Sequence, residues 1–258
     1  MAKTVQQLVA QRGYVMALFD SDESQQEIPA VNVARKMYAS GILLGSIDIK
    51  SDVIDLLLQS NIPVVGLNAY QQYPFDTVHV AGCSGSYLAM KHLIALGHKH
   101  IAFAGGTPHS MIGQSRMDGY LMAMEEARLP WRDEDRIEIG FSQDDGYEAG
   151  NYFAKMQPLP TAICCANDQI ALGLLCALHE KNIQVPRQIS VTGMDDISYS
   201  RTSNPSLTSV TNDSRAFSRE GVRMLFERID GLYDGPARDV AIAHELIVRA
   251  STCSPTGA

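Results

Sequence analysis

The sequence lacks long apolar runs and paired cysteines. No run approaches the roughly eighteen apolar residues that a helix needs to span a bilayer, so no membrane span is predicted. The opening stretch, MAKTVQQLVAQRGYVMALFDSD, has neither a long apolar core nor a small-residue cleavage pattern, and we predict no secretory signal. The 5 cysteines are an odd set without CxxC spacing, which favours free thiols in a reducing cytoplasm.

An excess of basic charge is also missing. The chain has 21 Lys and Arg against 29 Asp and Glu, a net charge of −8, and its basic residues are scattered rather than clustered. A surface that neutralises DNA phosphates usually concentrates Lys and Arg on one face. The chain by itself is therefore not predicted to bind nucleic acid.

Motifs of the common catalytic and phosphate-binding sites are absent. The sequence contains no GxxxxGKS/T, no GxGxxG and no GxSxG, so neither a phosphate-binding loop nor a serine nucleophile elbow is predicted. The HKH triplet (98–100) has no Cys or acidic partner at metal-ligand spacing and is predicted to be solvent-exposed. We predict no enzyme activity, no cofactor and no metal site.

A regular alternation of short apolar runs and helical patterns is present instead. Continuous apolar runs separated by helices are typical of strands in a parallel sheet that is covered on both faces. SYLAMKHLIALG, for example, has apolar residues at helical spacing and stops at Gly97. This alternation predicts an α/β fold. The predicted strands are YVMALF (14–19), GILLGS (41–46), IPVVGL (62–67), TVHV (77–80), HIAFAGG (100–106), RIEIG (136–140), TAICCA (161–166), ISVTGM (189–194), LTSV (207–210) and ELIVRA (245–250).

Polar residues stand at the carboxyl ends of two of these strands. Asn167 and Asp168 follow TAICCA, and Asp195 and Asp196 follow ISVTGM. In a parallel sheet, ligands bind outside the carboxyl ends of the strands. We predict that Asp168 caps the next helix and that Asn167 points over the strand end. Of Asp195 and Asp196, one is expected to brace the turn and the other to accept a hydrogen bond from a ligand.

Several motifs in this order resemble the effector-binding core of the lactose-repressor (LacI/GalR) family. They are HLIALGHKHIAFAGG, SRMDGY, PTAICCANDQIALGLLCALHEKNIQVPRQISVTGMDD, NPSLTSV and ELIVRAST, and the resemblance covers nearly the whole chain. It implies two doubly wound parallel-sheet lobes of the periplasmic-binding-protein type I. Three crossovers would join the lobes, with a small ligand in the cleft between them.

The resemblance also implies a ligand site, residue by residue. Arg116 in SRMDGY matches the arginine that contacts the effector, a role that suits the rigid fork of guanidinium donors. Asn167 matches a polar residue at the cleft edge, and Asp195 matches the acid that accepts from sugar hydroxyls or a base amine. Phe141 matches an aromatic that stacks on the ligand. From the residues alone, Arg116 could equally be a surface arginine, and Phe141 could be ordinary packing.

Two residues of the first lobe are matched less closely. Asn68 ends a strand where the family often has an aspartate, and Ser46 ends another strand on the same side. Both are predicted to close on the ligand from the first lobe. The segment TVHVAGCSGSY has Ala81 where many relatives carry an aspartate, which predicts the loss of one polar contact.

Relatives also begin with a helix-turn-helix headpiece and a first core strand, and neither is recognisable in this sequence. The predicted first lobe comprises 1–79 and 212–238, with its first strand missing. The predicted second lobe comprises 80–211 and 239–258.

The predicted function is regulation of transcription in the cytoplasm. A homodimeric core would bind a small polar effector, with a sugar or polyol as first choice and a nucleobase as second. Operator DNA would be bound only through a headpiece absent from this chain. The alternative is a stand-alone solute-binding protein of the same fold. The absence of a signal peptide and the repressor-like ending LTSV…IVRAST favour the regulator.

Overall fold

Two compact units make up the chain. The computed structural model describes residues 1–18, 30–45, 51–67, 73–80, 84–107 and 110–255. The first unit is Met1–Val80 with Asp213–Ile242, and the second is Ala81–Asn212 with Ala243–Ala258. The chain thus passes between the units three times, and each unit is built from two separate segments of sequence.

The first unit contains a parallel four-stranded sheet in the order β1-β2-β3-β9, with labels that follow chain order. Its strands are β1 (Ile42–Gly45), β2 (Val64–Leu67), β3 (Asp76–Val80) and β9 (Asp239–Ile242). Its helices are α1 (Ala2–Ala10), α2 (Ala30–Lys36), α3 (Ser51–Leu58) and α8 (Ser214–Ile229). Helix α8 packs on β2 and β3, and buries Phe217 and Phe226 in the apolar core of this unit.

The second unit contains a six-stranded sheet in the order β10-β8-β7-β6-β4-β5. Its strands are β4 (Ile101–Ala104), β5 (Arg136–Ile137), β6 (Ala162–Cys165), β7 (Ser190–Asp195), β8 (Thr208–Thr211) and β10 (Leu246–Ile247). Its helices are α4 (Ser84–Ala95), α5 (Met111–Glu126), α6 (Gln143–Phe153) and α7 (Asp168–Glu180). All strand pairs are parallel except β8 with β10. The carboxyl ends of β5, β4, β6 and β7 therefore lie side by side.

The core of the second unit is formed by its central strands and the helices that cover them. Phe103 of β4, Tyr120 of α5 and Phe153 of α6 are fully buried. The hydroxyl of Tyr120 is satisfied, because it donates to the backbone oxygen of Ile101 at 3.0 Å. Cys164 of β6 is a buried free thiol, and the prediction of free cysteines in a strand is confirmed there.

The α/β fold with parallel sheets is confirmed, but two predictions about single strands are wrong. Residues 14–18 of the predicted strand 14–19 form no strand, because they pair with no strand in the described residues. Tyr14 instead packs edge-on against Phe226, with ring centroids 5.0 Å apart. Strand β9 was missed, and residues 239–242, assigned to the second lobe, pair with β3 of the first sheet.

Candidate functional site

Four of the predicted ligand residues follow four neighbouring strands of the second unit. Helix α5, which carries Arg116, follows β4, and Phe141 follows β5. Asn167 follows β6, and Asp195 is the last residue of β7. Because these parallel strands are adjacent, their carboxyl ends share one edge of the sheet, where ligands of such sheets bind.

A pair of glycines brings α5 to this edge. Gly105 and Gly106 have φ angles of +136° and +75°, which L side chains rarely adopt. A Cβ atom on Gly105 would lie 2.4 Å from the Cβ of Ala166, so the loop after β4 lies directly against the end of β6. This close approach places the first turns of α5 beside the residues that follow β6.

The side chain of Arg116 is buried and holds two of these strand ends together. Its Nη1 donates to the backbone oxygen of Ala166 at 2.5 Å, and its Nη2 donates to Oδ1 of Asp195 at 3.3 Å. Its guanidinium carbon lies 5.8 Å from the ring centroid of Phe141. Arg116 is 8% exposed, which contradicts a surface arginine.

Asp195 meets Arg116 through only one of its two oxygens. Oδ1 accepts from Arg116 and from Nδ2 of Asn212, each at 3.3 Å. Burial raises the pKa of Asp195 above its ordinary value, although Arg116 and Asn212 act in the opposite direction. The side chain keeps 29% of its surface exposed, so the carboxylate is still open to a small molecule.

Asn167 takes the capping role that was predicted for Asp168. Asn167 is the N-cap of α7, because its Oδ1 accepts from the amide of Ile170 at 2.8 Å. Its Nδ2 donates to the backbone oxygen of Phe141 at 2.9 Å. Asp168, the predicted cap, is fully buried in the first turn and accepts from Ser200 and Ser209. The prediction that Asp168 caps α7 is therefore wrong, because the residue before it already occupies that position.

The structure brings Arg116, Phe141, Asn167 and Asp195 together through these contacts. Phe141 contributes its ring beside the guanidinium and its backbone oxygen to the amide of Asn167. Ser46 and Asn68, predicted to close the site from the first lobe, lie outside the described residues, as does Ala81.

Two residues near Asp195 were not predicted. Asn212 follows β8 and donates to Asp195, and its place after a strand beside β7 was a readable signal. Nδ1 of His244 donates to the backbone oxygen of Thr211 at 2.7 Å. Its Nε2 is buried without a partner among the described residues, and burial lowers the pKa of this histidine. His244 has no such signal, because it lies in a loop far along the chain.

The HKH triplet is not a solvent-exposed segment as predicted. His98 is buried, and its Nε2 donates to the backbone oxygen of Cys253 at 2.9 Å. His100 pairs with Asp135 at 2.9 Å.

Within the part of the chain that the structure describes, no group of three His, Cys, Asp or Glu residues could hold a metal ion. The described helices include none long and apolar enough to cross a bilayer.

Comparisons with known proteins agree with this fold. The family model of the periplasmic binding protein-like domain matches residues 90–252. The chain is 33% identical over 255 residues to the HTH-type transcriptional repressor PurR of Haemophilus influenzae (strain PittEE), a match that covers 97% of this chain and 76% of that protein.

Two solved structures share the fold at lower identity. A LacI family transcriptional regulator from Enterococcus faecium with bound ribose has a TM-score of 0.84 at 21% identity, over 98% of this chain and 93% of that chain. The complex of the transcriptional regulator CelR with cellobiose also has a TM-score of 0.84, at 23% identity, over 97% of this chain and 77% of that chain.

The fold and the polar strand ends define a ligand-binding regulatory domain of the periplasmic-binding-protein type. The chain belongs to the LacI family of transcriptional regulators, and it carries the effector-binding domain of that family.

Proposed function

We propose that the second unit binds a small polar effector, a sugar or related polyol, at Arg116 and Asp195. The observation that carries this proposal is that only one of the two carboxylate oxygens of Asp195 accepts hydrogen bonds from described residues. Oδ1 accepts from Arg116 and Asn212, whereas Oδ2 has no hydrogen bond from a described residue. A sugar hydroxyl can donate to Oδ2 and accept from the guanidinium at the same time, because a hydroxyl is both donor and acceptor.

The neighbouring groups support a ligand with one apolar face. The ring of Phe141 lies beside Arg116 and is only half-buried, so a pyranose or furanose face could pack on it. Asn167 has one amide hydrogen beyond the bond that it donates to Phe141, and this hydrogen would serve a second hydroxyl.

A nucleobase is the second candidate effector. The observation that favours it is the relationship to PurR repressors, whose name points to purines, together with an aromatic ring on which a base could stack. The structures with bound ribose and cellobiose favour a sugar. These two ligand classes are separable by direct titration.

Effector binding would shift an equilibrium between two conformations of the regulator. The size of the shift would be set by the difference between the effector's affinities for the two conformations. The protein would act in the cytoplasm as a homodimer, without enzymatic activity, in the regulation of transcription. A stand-alone solute-binding role is less well supported, because the relatives are named as transcriptional regulators.

Isothermal titration calorimetry tests the site. Ribose, galactose, cellobiose, hypoxanthine and guanine would be titrated into the chain. Replacing Arg116 or Asp195 by Ala should each cost about 1.5–3 kcal/mol of affinity for the compound that binds, the range for hydrogen bonds to charged groups.

The matched control is Arg136→Ala, at the start of β5, which removes a guanidinium paired with Asp133 in the same unit. It should leave the affinity unchanged. If a compound binds and neither site substitution weakens its affinity, the site lies elsewhere. If only the two bases bind, the effector is a nucleobase and not a sugar.

A further inference from the structure

We infer that Asp168 is a positioning residue for the effector site, whose buried carboxylate holds the turn after β7 so that Asp195 faces the ligand. This inference rests on the proposed function, because it assigns a role to the residue beneath Asp195. Asp168 does not face the ligand, and it acts through the backbone of residues 195–197 and through two serines.

The contacts of Asp168 all lead to this turn or to the strand beside it. Oδ2 accepts from the amide of Ile197 at 2.9 Å and from the hydroxyl of Ser200 at 2.6 Å. Oδ1 accepts from the hydroxyl of Ser209 at 2.6 Å, and the same hydroxyl accepts from the amide of Asp196 at 3.2 Å. Two successive amides of the turn are thus bound to Asp168, one directly and one through Ser209.

The turn needs such support because its backbone is strained. Asp195 has a φ angle of +106° and Asp196 has one of +46°, in a region that residues with a Cβ atom rarely adopt. Strained backbone at a binding site persists only when the surrounding structure over-determines it. Arg249 provides a second restraint, since its Nη2 donates to the side chain of Asp196 at 2.6 Å. Unlike Arg249, Asp168 binds the backbone of the turn, at the amide of Ile197.

The surroundings of Asp168 are shaped for a carboxylate in this place. A Cβ atom on Gly193 of β7 would lie 2.2 Å from Oδ1 of Asp168, so only glycine leaves room for the carboxylate. The capping of α7 is already performed by Asn167, so Asp168 is not needed as the cap.

The protonation state of Asp168 should therefore affect the site. A carboxylate accepts from all three donors, whereas a carboxylic acid must direct its own proton at one of them. Burial raises the pKa of Asp168 to about 6, against the effect of the hydrogen bonds from Ser200, Ser209 and Ile197. The charge of Asp195 on β7 raises the pKa of Asp168 further. Burial raises the pKa of the neighbouring Cys165 on β6, and the charge of Asp168 adds to that effect. On the 3₁₀ turn that carries Ser200, Tyr199 and Arg201 are exposed to solvent.

Amide hydrogen exchange measured by NMR on the ligand-free chain tests the positioning role. Asp168→Asn should speed exchange of the Ile197 amide, which bonds directly to Asp168, by about tenfold, the factor expected for one lost hydrogen bond. If Asp168 holds the turn, the Ile197 amide should also exchange faster in Ser209→Ala, although Ser209 is no direct partner of that amide. The control is Ser251→Ala. The hydroxyl of Ser251, like that of Ser209, is buried, accepts from one amide and donates to one acceptor, here Thr208 and Val191.

Ser251→Ala should cost similar stability without changing exchange at Asp196 and Ile197. If Asp168→Asn does not fold, exchange of the Ile197 amide in Ser209→Ala decides, because Ser209 binds the amide of Asp196 directly but reaches Ile197 only through Asp168. Equal exchange of the Ile197 amide in the Ser209 and Ser251 variants would overturn the inference.

Calorimetry with ribose, cellobiose and hypoxanthine between pH 5 and pH 8 gives the second readout. The wild-type affinity should fall as the pH drops through about 6, where Asp168 takes up its proton, and Asp168→Asn should reduce this dependence. The part that remains belongs to Asp195, whose pKa burial also raises. An unchanged pH dependence in this variant would count against the inference. Failure of all three compounds to bind the wild type would contradict the proposed function, and the exchange experiment would still decide the role of Asp168.

Discussion

Among the described residues of the first unit, Asp76 is a charged side chain that is almost fully buried, at 1% exposure, and forms two ion pairs. Its two oxygens accept from Arg228 at 2.7 Å and from Arg238 at 2.8 Å, and the backbone amide of Arg238 donates a further bond at 2.9 Å. The ring of Tyr233 lies under both guanidinium groups, 4.5 and 4.0 Å from their carbons. This cluster ties the start of β3 to the segment that links α8 to β9.

Replacing Asp76 by Asn should destabilise the first unit by about 3–5 kcal/mol, because breaking a buried ion pair leaves the remaining charges without compensation. Urea denaturation followed by circular dichroism measures this free energy of unfolding. Asp230→Asn is the control, since the exposed pair of Asp230 with Arg12 should be worth at most about 1 kcal/mol. Equal losses in the two variants would contradict the prediction.

The same cluster makes the stability of the first unit depend on pH in the acid range. Burial raises the pKa of Asp76, but the hydrogen bonds from Arg228 and Arg238 outweigh it, and the net pKa lies below the ordinary value of 3.8. The stabilisation is therefore fully present above about pH 4 and is lost as the pH falls through the lowered pKa. Asp76→Asn should remove this part of the acid dependence.

At the scale of residues, the sequence predicted which polar side chains gather, but not which bonds they make. The motif and the strand ends placed Arg116 and Asp195 on one edge of a sheet, and the structure brings them into contact. Asn167 and Asp168 are both good capping residues, and choosing between them depends on the backbone angles at the end of β6. The acceptor role of Asp168 depends on serines 32 and 41 positions away, which no local pattern reveals.

At the scale of elements, helices α6 and α7 are in backbone contact. A Cβ atom on Gly173 of α7 would lie 1.9 Å from the backbone oxygen of Gln143 and 2.7 Å from the amide nitrogen of Tyr147. A Cβ atom on Gly146 of α6 would lie 2.1 Å from the backbone oxygen of Ile170. The two glycines therefore set how closely the helices approach.

Two opposing effects decide the outcome of Gly173→Ala. Alanine favours a helix over glycine by about 1 kcal/mol, but the added methyl group overlaps backbone atoms that cannot move aside. We expect a net loss of about 1–3 kcal/mol in thermal denaturation, since overpacking of this kind usually costs that amount or more. Cys176→Ala, an exposed position on the same helix, should change the stability little. A stabilised Gly173→Ala variant would show that the helices can separate at small cost.

Strands were predicted well where their apolar runs are buried, whereas one short edge strand, β9, was missed. Strands β4 and β6 are fully buried, and their apolar runs identified them. Strand β9 lies at the edge of its sheet, with exposed and half-buried residues in alternation, so its short sequence carries little apolar signal. The run 14–18 has the opposite problem, because Val15 is apolar but 96% exposed, and no described strand pairs with it.

At the scale of the whole molecule, charge governs the interaction with DNA. The net charge of −8 makes the chain as a whole repel a polyanion. Fluorescence anisotropy with operator-like duplexes should show only weak association that added salt abolishes. Nanomolar binding that depends on the duplex sequence would contradict this prediction. Scrambled duplexes of the same length provide the control.

The three passages between the units also determine the order in which the molecule can be completed during synthesis. Helix α1 and strands β1 to β3 of the first unit are translated first, but α8 and β9 of the same unit are translated only after most of the second unit. The second unit then waits for Ala243–Ala258, which supplies β10 and the backbone partner of His98 at Cys253. The first unit therefore cannot be completed before most of the second has been translated, and the second is completed last. A nascent chain that stops before Asp239 lacks both β9 and β10, so the sheets of both units are left without an edge strand.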